Sequence, residues 1–254
     1  MVSGQARERN ESVTLAGVSY DNLTVQRALD RAIALVRNGA CEQIFFLNLD
    51  CLRIAQTDSV YRDILNAAAL VLPDGVGLRL ATRIFGATMS ANCNGSDFSP
   101  LLLRELAQRG HGCFFLGGRE GVAERAAERV AGSIAGLRVV GTHGGYFTDD
   151  ACVVRMINAS GAAVLFVAMG APRQEKWIAR NRSELRPVLC LGVGALFDYL
   201  SGAVPRAPRL VRALSLEWAW RVALEPRRMV SRYILAGLPF MFQLVRIRLR
   251  SRST

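Results

Sequence analysis

Four polar side chains in this chain stand where apolar runs stop. Asn48 follows QIFFL, Asp74 follows LVLP, Gln174 comes soon after AVLFVAMG, and Asp198 follows VLCLGVGALF. A carboxylate in such a place can take a proton from a hydroxyl, and a side-chain amide can donate and accept together. Asp74 lies in VLPDGVGL, and Pro-Asp-Gly is also a tight-turn sequence. Proline presets φ, aspartate bonds its own backbone and glycine accepts positive φ. On this string alone Asp74 is either a turn-maker or a base.

Glycines gather at the same kind of position. Gly117-Gly118-Arg119-Glu120-Gly121 follows CFFL, and Gly144, Gly145 and Tyr146 follow RVVGTH. Glycine ahead of a helix lets an anion approach backbone N–H groups. The spacing of 117, 118 and 121 fails the G-x-G-x-x-G fingerprint, and no P-loop occurs; Lys176 is the only lysine. What these glycines imply together, by recurring at successive run ends, is one shared pocket.

The elements that position these residues alternate. Runs at 43–49, 70–73, 113–117, 137–142, 163–170 and 188–194 predict strands, and 24–38, 99–110, 122–134 and 173–182 predict helices. Continuous apolar strands between amphipathic helices predict an α/β, Rossmann-like domain with a mostly parallel sheet covered by helices. Ligands bind such sheets beyond the carboxyl ends of the strands, where Asp74 falls. The core is expected over 1–205, with a helical, arginine-rich, membrane-associating appendage over 206–254.

The net charge of +11 is uneven: residues 203–254 carry +9 with 11 arginines, and residues 1–202 carry +2. The tail interleaves arginine with Trp218, Trp220 and an uncharged 13-residue run at 233–245. That run is too short to cross a bilayer, which needs about 20 apolar residues. A basic amphipathic segment with aromatics suits an anionic membrane surface better than nucleic acid. An exposed apolar tail also predicts a homo-oligomer where no membrane covers it. MVSGQARERNES lacks the apolar centre of a signal peptide. The six cysteines, with no C-x-x-C, read as buried reduced thiols of a cytoplasmic protein. With two histidines and no clustered ligands, no metal site is expected.

In order, AALVLPDGVGL, NGSDFSPLLLREL, FFLGGREGVAERAAERV, VVGTHGGYF, INASGAAVLFVAMGAPRQEKWIARNR, GVGALFDYLSG and RAPRLVRALSLEWAWRVALEPRRMVSRYI resemble the WecG/TagA/CpsF family of bacterial glycosyltransferases. The resemblance covers about residues 15 to 240; G-A-P-x-Q-E-x-W and L-E-W…E-P-R-R are its most specific strings. It implies an inverting transfer of a sugar from a UDP-sugar to a polyprenyl-diphosphate-linked glycan in cell-surface polysaccharide assembly. The enzyme would lie on the inner face of the cell membrane, with the appendage completing the site. Asp74 matches the family's base, and Arg221 and Arg228 match appendage arginines that meet the leaving UDP.

Beside that resemblance, Asn48 is expected to orient a substrate and Gln174 to donate to the sugar or its phosphates. Asp198 is expected to accept from the uridine, while Gly117, Gly118, Gly145 and Tyr146 wall the nucleotide. No D-x-D occurs, so arginines rather than a diphosphate-bound metal are expected to meet the leaving charge, and no cofactor is expected. Three positions depart from the family pattern: Phe46 for threonine, and Asn92 and Ser231 for arginine. They keep an alternative open, a nucleotide-sugar-binding relative with weak or no catalysis.

Overall fold

Five of the six predicted strands, all but that at 137–142, are apolar at nearly every position, and a strand without a polar face must be covered on both sides. In a computed structural model of the protein, which describes residues 11–37, 41–208, 210–211, 216–224, 226–230 and 235–250, this is how the strands lie. After a hairpin of β1 (Ser12–Leu15) and β2 (Val18–Asp21) come helix α1 (Val25–Arg37) and β3 (Glu42–Leu47). Then follow α2 (Leu49–Thr57), α3 (Ser59–Ala67), β4 (Leu70–Pro73), α4 (Gly75–Ile84), α5 (Gly95–Gln108) and β5 (Gly112–Gly117). The core closes with α6 (Val122–Ser133), β6 (Arg138–His143), α7 (Asp150–Ala159), β7 (Val164–Ala168), α8 (Arg173–Asn181), β8 (Leu189–Gly192) and α9 (Leu196–Leu200).

Strands β3 to β8 form one sheet in the order β4-β3-β8-β7-β5-β6, parallel throughout. All six carboxyl ends therefore open on one edge. Alternate side chains feed two cores. Ile44, Phe46, Leu72, Phe115 and Phe166 pack under α1, α5, α6 and α9. Phe45, Leu47, Val71, Phe114 and Val167 pack under α2, α3, α4, α7 and α8.

The sequence reading did not anticipate the β1–β2 hairpin. Its tight turn places Ala16 and Gly17 at φ of 47° and 84°, as a two-residue hairpin turn requires. The hairpin is fastened to the sheet edge by Asp21, whose buried Oδ2 accepts the Val71 N–H at 2.7 Å. Helix α5 begins at Gly95, ahead of the expected 99, because Asn94 caps it by accepting the Asp97 N–H.

The C-terminal part contains α10 (Glu217–Leu224), α11 (Pro226–Val230) and α12 (Leu238–Arg250). Among the described residues no helix is long and apolar enough to cross a membrane. Helix α12 packs against α4 and buries Phe240 and Leu244 in the second core. It leaves Leu238, Phe242 and Leu249 exposed. The expectation of buried thiols holds for Cys51, Cys93, Cys113 and Cys190, whereas Cys41 is half-buried and Cys152 exposed. Burial pushes the Cys93 and Cys113 thiols up, to about 11 and about 12.

Candidate active site

The carboxyl ends of the strands surround a cavity of about 590 Å³, within the range usual for small-molecule sites. Asn48, Asp74, Gly118, Gly145, Tyr146, Gln174 and Asp198 all line it. Gly117 sits one residue behind the wall, at the end of β5. The side chains of Arg221 and Arg228 lie outside the described ones, as does residue 231.

Asp74 leaves β4 at the N-terminus of α4, yet its side chain makes no capping hydrogen bond. Its backbone N–H donates to Leu47 O at 2.8 Å. The next residue, Gly75, has φ of 88°, and its N–H donates to Asn92 Oδ1 at 2.7 Å. Cys93 N–H reaches Pro73 O at 2.9 Å. The strand end is thus tied from both sides and its carboxyl faces the cavity wall. Asn92, one of the departures from the family pattern, has a task here: it fixes the turn that carries Asp74.

Asn48 caps α2, its Oδ1 accepting the Cys51 N–H at 2.9 Å. That bond takes one acceptor direction and leaves the amide's donors for the cavity. Phe46, a second departure, is an apolar part of the wall. Its ring meets Phe98 edge-on at 5.9 Å, and a Cβ on Gly95 would come within 3.3 Å of it.

The glycines work by close approach. Gly117, at φ of 141°, lies so near β7 that a Cβ would fall 2.3 Å from Ala168 O. Gly118 N–H donates to Ala168 O at 2.9 Å, and Gly145 N–H to Gly118 O at 2.8 Å. Both N–H groups are therefore engaged with backbone, and these residues shape the wall rather than present their amides to a phosphate. Positive charge comes instead from side chains that the sequence reading passed over. Arg119 and Arg173 line this side. Arg173 donates to Gly145 O at 2.8 Å and lies over the exposed Tyr146 ring at 5.6 Å.

Gln174 is buried and joins two loops. Its Oε1 accepts the Gly170 N–H at 3.2 Å and the Gly194 N–H at 3.0 Å, while its Nε2 donates to Glu175 Oε1 at 2.8 Å. Glu175 lines the cavity too and is 1% exposed. Desolvation pushes its carboxyl up to about 7, against the hydrogen bond from Gln174. A glutamate in the first turn of a helix ordinarily reads as a solvated complement to the helix dipole. The signal that could have found it was spacing: Glu175 and Ile178 are three apart and share the buried face of α8.

Sheet order gives the cavity a polarity. Asp74 and Asn48 stand at the β4 and β3 side, Gln174, Glu175 and Gly194 at the centre, and Arg119, Arg173 and Tyr146 at the β5 and β6 side. One end can accept a proton and the other can hold an anion. Among the described residues no group of three His, Cys, Asp or Glu side chains could hold a metal ion.

The model of the WecG/TagA/CpsF glycosyl transferase family matches residues 13–254. An enzyme of Bacillus spizizenii, named N-acetylglucosaminyldiphosphoundecaprenol N-acetyl-beta-D-mannosaminyltransferase, is 33% identical over 183 residues, 70% of this chain and 71% of its own. The enzyme of the same name from Bacillus subtilis is 30% identical over 68% of this chain and 69% of its own. That of Staphylococcus aureus strain NCTC 8325 is 25% identical over 95% of both chains. A strand-end cavity with a carboxylate at one end and arginines at the other fits that company, and the chain belongs to the WecG/TagA/CpsF family of glycosyltransferases.

Proposed function

We propose that this glycosyltransferase moves N-acetylmannosamine from a UDP donor to N-acetylglucosamine carried on a polyprenyl diphosphate, with inversion, in cell-surface polymer assembly. The observation that carries the reading is the polarity of the cavity, with Asp74 at one side and Arg119 and Arg173 at the other. The sugar and acceptor come from the names of the relatives.

In this reading the donor lies with its diphosphate towards Arg119 and Arg173. The acceptor hydroxyl enters beside Asp74, whose carboxylate takes its proton as the oxygen attacks the anomeric carbon. The bond from that carbon to the phosphate oxygen breaks, and UDP leaves with the electron pair on the opposite face. Arginine forks suit the growing phosphate charge; Arg221 and Arg228 join them there, and the transfer needs no metal. Asn48 and Asp198 orient the acceptor and the uridine. Helix α12 supports contact with a membrane surface. Its inward residues Phe240 and Leu244 anchor it, while Leu238, Phe242 and Leu249 face outward beside Arg246 and Arg250.

The test is UDP release from a panel of UDP-sugars, with and without a polyprenyl-diphosphate N-acetylglucosamine acceptor. Acceptor-dependent release from UDP-N-acetylmannosamine is expected. UDP binding without release from any donor would instead favour the non-catalytic alternative.

A further inference from the structure

Two buried polar atoms face each other where the C-terminal part meets the core. Arg206 Nε and Glu217 Oε1 lie 3.8 Å apart, and neither has a hydrogen-bond partner among the described residues. That gap is wider than a hydrogen bond allows, and a buried donor or acceptor left unpaired is costly. Closing it needs a movement of only about 1 Å. From the other side the Arg206 guanidinium donates to Asp97 Oδ1 at 2.5 Å. Glu217 opens α10, and Trp220 three residues on donates from Nε1 to Pro205 O at 3.3 Å. Helix α10 therefore meets the end of the core at two neighbouring residues, 205 and 206.

Asp97 leads from Arg206 back to the cavity. Its N–H donates to Asn94 Oδ1 at 2.9 Å, and its Oδ2 accepts from Asn94 Nδ2 at 2.8 Å. Between the two, Gly95 and Ser96 line the cavity, as do Ala203 and Val204 ahead of Arg206. Two residues before Asn94, Asn92 holds the Gly75 N–H, and Cys93 N–H reaches Pro73 O. One line of contacts thus joins the Asp74 turn, residues 92–97 and Arg206. Across the 3.8 Å gap it reaches α10, which carries Arg221 in its second turn.

Resting on the reading of the cavity as a sugar-transfer site, we propose that Arg206 is a positioning residue. Its guanidinium, between Asp97 of α5 and Glu217 of α10, sets α10 and the arginine it carries against the edge of the cavity. Arg206 acts through these partners and touches neither substrate nor reacting atoms. Holding two carboxylates at once requires the planar fork of arginine, whereas lysine offers one point charge. Asp97 is half exposed, and exposed ion pairs contribute little to stability. The consequence of the contact is therefore where α10 sits, not whether the core folds.

Amide hydrogen exchange and acceptor-dependent UDP release of the full chain test this, on the wild type, Arg206→Lys and Glu217→Gln. In both variants the amides of α10 should exchange about tenfold faster or more, while those of β7 keep the wild-type rate. With UDP-N-acetylmannosamine, kcat should fall by about 10–100-fold. UDP affinity should stay within about threefold, and the melting temperature within about 2 °C, of the wild type. A role in folding alone would instead lower the melting temperature and loosen β7 together with α10. Unchanged exchange in α10, or faster exchange with unchanged kcat, overturns the proposal and leaves the sugar-transfer reading standing. Should Arg206→Lys not fold, Glu217→Gln decides alone, since it leaves the Arg206–Asp97 pair in place. No acceptor-dependent release by the wild type from any UDP-sugar would overturn the sugar-transfer reading and, with it, the proposal, whatever the exchange rates.

Discussion

Asn92 Oδ1 accepts the Gly75 N–H at 2.7 Å and so holds the turn on which Asp74 leaves β4. An asparagine in place of a family arginine looks, from sequence, like a lost substrate contact. In the fold it is part of the support of the proposed base. Asn92→Asp keeps the acceptor oxygen and should leave kcat within about threefold. Asn92→Leu removes it, and a loosened base should lower kcat by about 10–100-fold, since small misplacements of reacting groups are costly. Steady-state rates of the two variants check this; equal rates would show that the bond does not matter to turnover.

Gln174 ties the loops after β7 and β8 through a single oxygen that accepts from both Gly170 and Gly194. Gln174→Leu would leave two backbone N–H groups and Glu175 without that partner. A loss of about 2–4 kcal/mol is expected from groups so exposed to desolvation. Urea unfolding measures it, and an unchanged midpoint would place the two loops under some other restraint.

Glu175 carries a pH signature of its own. Burial raises its carboxyl from 4.5 to about 7, so between those values the folded state holds a proton that the unfolded state has lost. Stability therefore falls as pH rises through that window and is level above it. Glu175→Gln removes the titrating group. Its stability relative to the wild type should rise by about 3 kcal/mol between about pH 5 and about pH 8. Thermal melts across that range test the sign as well as the size.

Two glycines should answer alanine in opposite ways. At Gly117 a Cβ would fall 2.3 Å from Ala168 O on a backbone at φ of 141°. Gly117→Ala should cost about 3 kcal/mol or more, because strained backbone and steric overlap add. Gly132 lies within α6 and a Cβ there meets open space, so Gly132→Ala should gain about 0.5–1 kcal/mol. Melting temperatures of the two variants give the comparison.

Phe242 is 71% exposed on α12, on the opposite side from buried Leu244. Phe242→Asp should leave the melting temperature unchanged within about 2 °C, as surface substitutions usually do. It should also weaken co-sedimentation with phosphatidylglycerol vesicles by about tenfold or more, through lost apolar area and added like charge. Equal sedimentation would move the membrane contact away from this face.

Five of the six strands of the main sheet were legible in the sequence as short apolar runs, and β4 was read to the residue, at 70–73; the edge strand β6, RVVGTH, with Arg138 exposed and no position fully buried, showed only through its central valines. The β1–β2 hairpin was not, since SVTLAGVSYD mixes polar and apolar residues and the partner of its buried Asp21, Val71, lies 50 residues away. Of the site, Asn48, Asp74, Gln174 and Asp198 could be named because they stand where strands end. The work of Gln174 could not be named, since its partners Gly170 and Gly194 belong to two different loops. The glycines drew attention as phosphate cradles, but Gly118 and Gly145 donate to backbone carbonyls. Glu175 was missed because a first-turn glutamate is most often solvated, and only packing removes it from water.

Asp74 is proposed as the base of a sugar transfer at the strand-end cavity. The most direct measurement is acceptor-dependent UDP release by Asp74→Asn beside the wild type, with UDP affinity measured on both. Loss of about 10²–10⁴-fold in kcat at unchanged UDP affinity is expected of a removed general base. Turnover by Asp74→Asn at the wild-type rate would rule Asp74 out as the base and leave it as the middle residue of a Pro-Asp-Gly turn.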